Sequence, residues 1–266
     1  MSKNELAVKK ETAVANYSGF EEFAGGGFSE VNTEDLAIPF LRILAQLSPQ
    51  VNKRDGAYVD GAEAGMIYNT VMNRAFSGED GILVVPCHYN RRYVEWQPRE
   101  KGGGYVASYE PEDPIVRTTT KGSKGEDILP NGNLLTPTAQ FFVLFLHEEG
   151  AQRALITMTS TQLKKARKWL SQMESMKANG KNGLYTLPMF SQIYRLRTVE
   201  ERNDKGSWFG WEVARERPLN MEDSDDAGLV KVAVDFARGI RSGEVKVKES
   251  GEAPDTGHHD HHSNVM

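Results

Sequence analysis

Hydrophobic and polar positions between residues 65 and 158 repeat with the period of β-strands. The apolar run 81–87 predicts a buried strand, and the alternation of polar and aromatic residues over 88–96 predicts a half-exposed one. Further strands are predicted at 66–71, 138–146, 153–158, 190–199 and 207–214. The pair 138–146 and 153–158 is expected to form a hairpin across Glu148–Gly150, and the turn 203–206 joins the last two strands. Residues 110–137 contain four prolines and predict a long irregular excursion.

Helical spacing of apolar residues appears in three places. Residues 160–179 predict the clearest helix, with Ser160 as N-cap and Asn179–Gly180 as its end. A terminal helix is predicted from about Ser224 to just before Gly243. A short helix is predicted after Thr33 from the apolar set Leu36, Phe40, Ile43, Leu44 and Leu47.

This order of elements predicts a mainly β fold with inserted and terminal helices (α+β), arranged as an OB-like, partly open barrel. A generic α+β sheet is the alternative. The expected organisation is a flexible arm at 1–34, a barrel at 35–220 containing the inserted helix 160–179, a helix at 221–243 and a disordered acidic, histidine-containing tail at 244–266.

The formal net charge of −5 conceals a gradient along the chain. Residues 153–217 hold 13 basic and 6 acidic side chains, a net charge of +7, and the segments on both sides are acidic. Such a local excess of cations is typical of a surface that binds a polyanion, although solvated lysine-rich helix faces give the same arithmetic.

The same segment holds three of the four tryptophans, and arginines alternate with aromatic residues on its predicted strands. Cations that neutralise phosphates and flat rings that stack on unpaired bases are what single-stranded nucleic acid binding requires. The phosphate-binding candidates are Lys164, Lys165, Arg167 and Lys168 on the inserted helix and Arg91, Arg92, Arg195 and Arg197 on strands. The stacking candidates are Tyr93, Trp96, Tyr194, Trp208 and Trp211. Ordinary packing of these rings in a barrel core is the alternative, and it is the one favoured for Trp169.

Gly210 lies between Phe209 and Trp211, and a glycine at this place leaves room for a backbone or a base to approach closely.

Other chemistry is poorly supported by the sequence. The single cysteine, Cys87, excludes a disulfide framework and a cysteine-based zinc site, and it fits a reducing cytoplasm. The cluster His258–His262 has metal-binding residue types without a framework to fix their geometry. No paired carboxylates suggest acid–base catalysis, so neither an enzyme nor a cofactor is expected. No apolar run approaches the roughly 20 residues of a membrane span, which predicts a soluble protein in the cytoplasm.

Five blocks of the sequence resemble a group of early or replication-region proteins of tailed bacteriophages. They are EDLAIPFLRILAQLSPQV, EAGMIYNTV, GILVVPCHYNRRYVEW, MTSTQLKKARKW and NDKGSWFGWEV, which together span about residues 33–217. Members of this group are similar to phage single-stranded DNA-binding proteins. The resemblance implies an OB-type barrel, coating of exposed strands during replication or recombination, and no cofactor. The densely acidic tail with a terminal aromatic residue that is common in such proteins is missing, because residues 244–266 hold five acids and end in Val265–Met266.

Residues and resemblance together predict a non-enzymatic protein that binds single-stranded DNA in the host cytoplasm, with phage replication or recombination proteins as further partners. The alternative is a phage structural or assembly protein whose barrel binds protein partners. The sequence leaves the oligomeric state and the preference between DNA and RNA open.

Overall fold

The computed structural model describes residues 19–31, 35–123, 125–204 and 206–244. The chain divides into two units, residues 1–36 and residues 37–266. The described part of the first unit contains one 3-10 turn, Glu21–Phe23, and all of its described residues are exposed. Thr33, most of the predicted arm and the predicted histidine-containing tail lie outside the described residues.

The second unit contains thirteen strands and two α-helices in its described residues. In chain order they are β1 (Leu41–Ile43), β2 (Ile67–Asn69), β3 (Arg74–Phe76), β4 (Ile82–Trp96), β5 (Tyr105–Tyr109), β6 (Thr120–Lys121), β7 (Asp127–Ile128), β8 (Leu134–His147), β9 (Gly150–Thr159), α1 (Gln162–Ser175), β10 (Lys177–Gly180), β11 (Gly183–Thr186), β12 (Gln192–Asn203), β13 (Gly206–Pro218) and α2 (Ser224–Ser242).

Eight of these strands form one antiparallel sheet that curls strongly into a half-barrel. Strands β4 and β8 pair along nearly their whole lengths and form the centre of this sheet. At one end, which we call the body, the strand order is β13-β12-β4-β8-β9. At the other end, the extension, the order is β5-β4-β8-β7-β6. The predicted fold class, mainly β with a partly open barrel and inserted and terminal helices, is confirmed.

Strand β4 joins the two strands that the sequence predicted at 81–87 and 88–96. The pairing with β8 shifts between Pro86 and His88, so one extra residue enters the strand there. Such a bulge accommodates Pro86, because proline cannot donate a ladder hydrogen bond. The change from continuous apolar residues to alternation therefore marks a bulge inside one strand.

The core lies on both faces of β8, which explains its uninterrupted apolar run. Phe141, Val143 and Phe145 point toward the face that α1 covers, where Trp169 is buried among them. Phe142 and Leu144 point toward the opposite face. There they pack in one cluster with Ala233, Phe236 and Ile240 of α2. A strand that is covered on both faces needs apolar residues at every position, so its period of two disappears from the sequence.

The short helix predicted between Leu36 and Leu47 is wrong, because Leu41–Ile43 forms a strand. Phe40, Leu41 and Leu44 are all buried, but each belongs to a different one of the three hydrophobic clusters. Extended chain can present neighbouring residues to opposite sides, whereas one helical stripe cannot. Backbone pairing with β2 and a parallel bridge between Phe40 and Leu155 hold the segment in place.

Strands β1, β2 and β3 form a small sheet of their own, and the chain just before β2 and just after β3 is tied to β12 at two glycines. The Thr198 hydroxyl donates to the carbonyl of Gly65 over 2.5 Å, and its backbone N–H donates to the carbonyl of Gly78 over 2.9 Å. A Cβ atom on Gly78 would overlap the Gly65 carbonyl oxygen, so this close approach requires glycine.

Helix α1 is shorter than predicted. It ends at Ser175, and the residues predicted to finish it instead form strand β10, which pairs with β11 as a hairpin. The Lys177 ammonium donates to the Glu174 backbone carbonyl and carboxylate and to the Thr186 hydroxyl, over 2.9, 3.1 and 2.6 Å. These bonds fix the chain where the helix changes into the hairpin.

The predicted helix at the end of the described chain is confirmed as α2. The Asp223 carboxylate accepts the backbone N–H groups of Asp225 and Asp226, and Gly243 ends the helix with a φ of 79°. Arg217 of β13 forms a two-point contact with the Asp226 carboxylate over 2.6 and 2.8 Å. This contact fastens the first turn of α2 to the sheet.

Candidate nucleic-acid interface

Helix α1 presents three exposed cations in its first two turns. Arg167 and Lys168 follow Lys164 by three and four residues, so the three side chains lie on one face of the helix. None of the three forms an ion pair with any described residue. The buried residues of the helix, Ala166, Trp169 and Met173, lie on the opposite side, as the sequence predicted.

The N-terminal end of α1 lacks the features that stabilise a helix start. Its first turn contains no acidic residue, and the side chain of Thr161 at the N-cap position accepts no capping hydrogen bond from the backbone. Ser160, the predicted N-cap, lies outside the helix with a φ of 48°. Cations in the first turns oppose the helix dipole, so the positive potential of the side chains and of the helix end add together.

The fourth predicted cation of α1, Lys165, is paired within the protein. Its ammonium contacts the Glu201 carboxylate, which also accepts the Trp208 indole N–H over 2.8 Å and an amide N–H of Gln162 over 3.3 Å. Glu201 therefore joins α1 to β12 and β13. Lys165 and Trp208 are brought together by this carboxylate, and Trp208 keeps a half-exposed ring.

The space beside Gly210 is filled by the protein itself. A Cβ atom there would lie 2.5 Å from the Gln162 amide nitrogen and 2.6 Å from a Glu201 carboxylate oxygen. The side-chain oxygen of Gln162 accepts the backbone N–H of Trp211 over 2.9 Å. The glycine thus permits a close approach, as predicted, but the approaching groups are two side chains of this chain.

Three of the predicted stacking residues belong to the core. Trp96, Tyr194 and Trp211 are 6%, 2% and 3% exposed. Burial raises the pKa of the Tyr194 hydroxyl. Because these rings are covered by protein, no base can stack on them in this structure, and only Tyr93 and Trp208 of the five candidates are partly exposed.

The two arginines of β12 differ in their partners. Arg195 forms a two-point contact with Glu216 of β13, with both N–O distances 2.9 Å. Its hydrogen bonds raise the pKa of the Arg195 guanidinium and lower that of the Glu216 carboxyl. Arg197 is exposed and has no ion-pair partner among the described residues.

The arginines of β4 lie on opposite faces of the sheet. Arg91 shares a face with Tyr93, and its guanidinium lies 5.8 Å from the centre of that ring. Arg92 points to the other face, where it forms an ion pair with Glu110, and burial lowers the pKa of its guanidinium. The predicted set of thirteen residues therefore does not form one surface. Within the described part of the chain, its cations without an ionic partner are Lys164, Arg167 and Lys168 on α1, with Arg91 and Arg197 on strands.

A family model described as Pam3 phage gp34-like protein matches residues 8–246 of the chain. The chain belongs to this family of bacteriophage proteins. The description of the family states no function. No curated protein and no solved structure matches the chain. The expected membership of a phage protein family is confirmed, and its likeness to single-stranded DNA-binding proteins stays a prediction.

Two features of this phage protein were missed from the sequence. One is the β10–β11 hairpin, whose apolar residues Leu184 and Tyr185 are 69% and 49% exposed. The two glycine-containing pairs 179–180 and 182–183 could have indicated a hairpin turn, but the first was interpreted as a helix end.

The other missed feature is the buried carboxylate of Glu95, which is 2% exposed in the extension. It accepts hydrogen bonds from the Tyr109 hydroxyl over 2.5 Å and from the side-chain amides of Asn131 and Asn133 over 2.8 and 2.5 Å. Burial acts to raise the pKa of Glu95, but these three donors together lower it, and the bond raises the pKa of Tyr109 to about 12. The network fastens the long loop before β8 onto β4.

The described residues contain no group of three or more histidine, cysteine or acidic side chains that could hold a metal ion. The cluster His258–His262 lies outside them. Cys87 is buried, and desolvation raises the pKa of its thiol to about 12, so it is held as the unreactive thiol. No helix in the described part of the chain is long and apolar enough to cross a membrane.

Proposed function

We propose that the protein binds single-stranded DNA through the exposed cationic face of α1. The observation that carries the proposal is the contrast between paired and unpaired cations in the basic segment 153–217. Lys165, Lys177, Arg195 and Arg217 each contact a carboxylate. Lys164, Arg167 and Lys168 lie together, exposed, without an acidic partner among the described residues.

The position of these cations supports a role in binding an anion. Three positive charges in the first two turns of a helix reduce its stability, because the helix dipole is positive at that end. The residues would serve the fold better as acids or neutral side chains. A phosphate backbone removes this repulsion, since it brings negative charges to the place where the positive charges accumulate.

Single strands are favoured over duplexes because partly exposed aromatic rings lie beside cations. The Trp208 indole N–H donates to the Glu201 carboxylate, which also contacts Lys165 of α1. The ring of Tyr93 lies beside Arg91. Unpaired bases offer flat faces to such rings, whereas the bases of a duplex stack on one another. Binding of this kind would serve to coat exposed strands during phage DNA replication or recombination.

A titration of the full-length protein into fluorescently labelled oligothymidine, followed by anisotropy at several salt concentrations, tests the proposal. The triple variant Lys164→Gln, Arg167→Gln, Lys168→Gln removes about three phosphate contacts. The slope of log affinity against log salt should become shallower by about 2, since each single-strand contact contributes about 0.7.

The matched control is the triple variant Lys231→Gln, Arg238→Gln, Arg241→Gln on α2. It removes the same formal charge from a helix on the other face of the sheet, so its salt slope should equal that of the unmodified protein. Equal losses in both variants would mean a general charge effect, and the assignment to α1 would be wrong. Failure of the unmodified protein to bind oligothymidine at low salt would refute the function and favour a phage structural protein with protein partners.

A further inference from the structure

The β10–β11 hairpin leaves the body directly at the end of α1 and exposes most of its surface. Of its eight strand residues only Ala178 is partly covered, and the other seven are exposed. Apolar side chains this exposed on a small projecting element are typical of a contact surface. Within the described residues, most of the hairpin surface is therefore left uncovered.

The hairpin is held in a fixed direction relative to α1. The bonds of Lys177 to Glu174 and Thr186 close its base on the helix side. The backbone N–H of Leu187 donates to the Met176 carbonyl over 2.9 Å and closes the other side. Two exposed side chains of α1, Ser171 and Ser175, continue the row of Lys164 and Lys168 toward this base. The distance from Lys168 to the end of α1 is about 10 Å.

The ring of Tyr185 lies across the opposite strand at a glycine. A Cβ atom on Gly180 would be 3.1 Å from two carbon atoms of this ring, so the ring lies on the bare backbone of Gly180. The 49% exposure of Tyr185 shows that much of the ring remains uncovered. Lys181 in the adjoining turn is exposed and has no ion-pair partner among the described residues.

We propose that Tyr185 is the principal base-stacking residue of the protein, on a hairpin that receives the strand from the cationic face of α1. This inference rests on the proposed function and extends its site. A flat ring with one side supported, on a hairpin whose turn carries an unpaired lysine and whose base lies at the end of a helix with exposed cations, has the chemistry of a single-strand binding platform. An unpaired base is the occupant, because cations accompany the ring both in the turn and along α1.

Paired oligonucleotides separate stacking from charge. One is labelled oligothymidine, and the other is an abasic deoxyribose-phosphate chain of the same length. Tyr185→Ala should weaken binding to oligothymidine roughly 5- to 150-fold, the loss of one stacked base, and leave binding to the abasic chain unchanged. Tyr185→Phe keeps the ring and should bind oligothymidine as the unmodified protein does.

Leu184→Ala is the matched control in the same hairpin. Leu184 points to the other face of its strand and is more exposed than Tyr185, but it has no flat ring. It should bind oligothymidine with nearly unchanged affinity.

The outcomes distinguish this inference from the function on which it rests. If the unmodified protein binds oligothymidine and Tyr185→Ala binds it equally well, the stacking role is wrong and the proposed function stands. Equal losses of Tyr185→Ala on both oligonucleotides would also overturn stacking, because the abasic chain offers no ring. If the unmodified protein binds neither oligonucleotide, the proposed function itself fails.

Discussion

The two helices of the second unit are held in opposite ways. Helix α2 has an aspartate at its N-cap, two acids in its first turn, an arginine in its last turn and a glycine after its end. Helix α1 has no side-chain cap, no acid in its first turn and four cations in its first seven residues. One helix satisfies nearly every local rule of helix stability, and the other violates most of them at its start.

This difference shows where each helix obtains its stability. Helix α1 depends on tertiary contacts, above all on Trp169, which stacks on Phe141 with ring centres 4.4 Å apart. Helix α2 combines apolar contacts with its own caps and the Arg217–Asp226 pair. A helix that is fixed by its buried side can carry charges on its exposed side that serve a ligand instead of the fold.

Removal of the buried Trp169 side chain of α1 should have the largest effect on the free energy of unfolding. Trp169→Ala leaves a cavity beside Phe141 and Tyr194 and should reduce the free energy of unfolding by about 3–5 kcal/mol. Urea unfolding followed by circular dichroism measures the loss. Val232→Ala on α2, at a position that is 39% exposed, should change it by about 0.5 kcal/mol or less. Similar losses in the two variants would contradict the dependence of α1 on this contact.

The ion pair of α2 should give the next largest effect. Asp226→Asn replaces a buried carboxylate that accepts two bonds from Arg217 and one from the Asn220 backbone, and should cost about 1.5–3 kcal/mol. The bonds from Arg217 and Asn220 hold the pKa of Asp226 below its usual range. The carboxylate therefore adds stability above the usual aspartate pKa, and this stability is lost as the pH falls through the lowered value.

Urea unfolding at neutral and acidic pH tests this linkage. The Asp226→Asn variant cannot titrate at this position, so its stability should fall less steeply on acidification than that of the unmodified protein. Asp235→Asn is the control, because Asp235 is exposed and lies 3.7 Å from Arg238. It should leave both the stability and its pH dependence nearly unchanged, and an equal response of both variants would show that Arg217 is not the cause.

The sequence predicts those parts of the fold that local chemistry determines. The bounds of α2, the β8–β9 hairpin and the β12–β13 turn were all visible in residues close to one another. The strand at Leu41–Ile43 was not visible in this way. Its conformation depends on packing in three hydrophobic clusters, whose other members are distant in the sequence, and not on a local period. The buried hydrogen-bond network of Glu95 was missed for the same reason, since its partners Asn131 and Asn133 are more than thirty residues away in the sequence.

The candidate site also has parts that local sequence predicts and parts that depend on the folded sheet. The cationic side of α1 follows from helical periodicity alone, so Lys164, Arg167 and Lys168 were assigned correctly as exposed. Which aromatic residues face solvent depends on how the sheet curls, and in the curled sheet Tyr194 and Trp211 are buried in the core. The carboxylate partners of Lys165 and Arg195 lie on other strands of the folded sheet, so no single stretch of sequence shows that these cations are paired.

Replacing each N-cap residue by alanine compares the two helix starts directly, and the expected loss in the free energy of unfolding is smaller. Asp223→Ala removes an acceptor for two backbone N–H groups of α2 and should cost about 1 kcal/mol. Thr161→Ala, at the corresponding position of α1, removes no capping hydrogen bond and should cost almost nothing. Both are measured by urea unfolding. A comparable loss for Thr161→Ala would mean that the start of α1 is capped in solution after all.

The smallest expected change is a gain in stability, whereas the variants above are expected to lose stability or leave it nearly unchanged. Lys164→Gln removes one cation from the first turn of α1 and should stabilise the protein by about 0.3–1 kcal/mol while it weakens binding to oligothymidine. Lys231→Gln, in the middle of α2, should change neither property. A positive charge that lowers the stability of its own helix and raises affinity for DNA belongs to the ligand site. A stability loss in Lys164→Gln would show instead that the lysine serves the fold, and the contrast between the two helices would then rest on α2 alone.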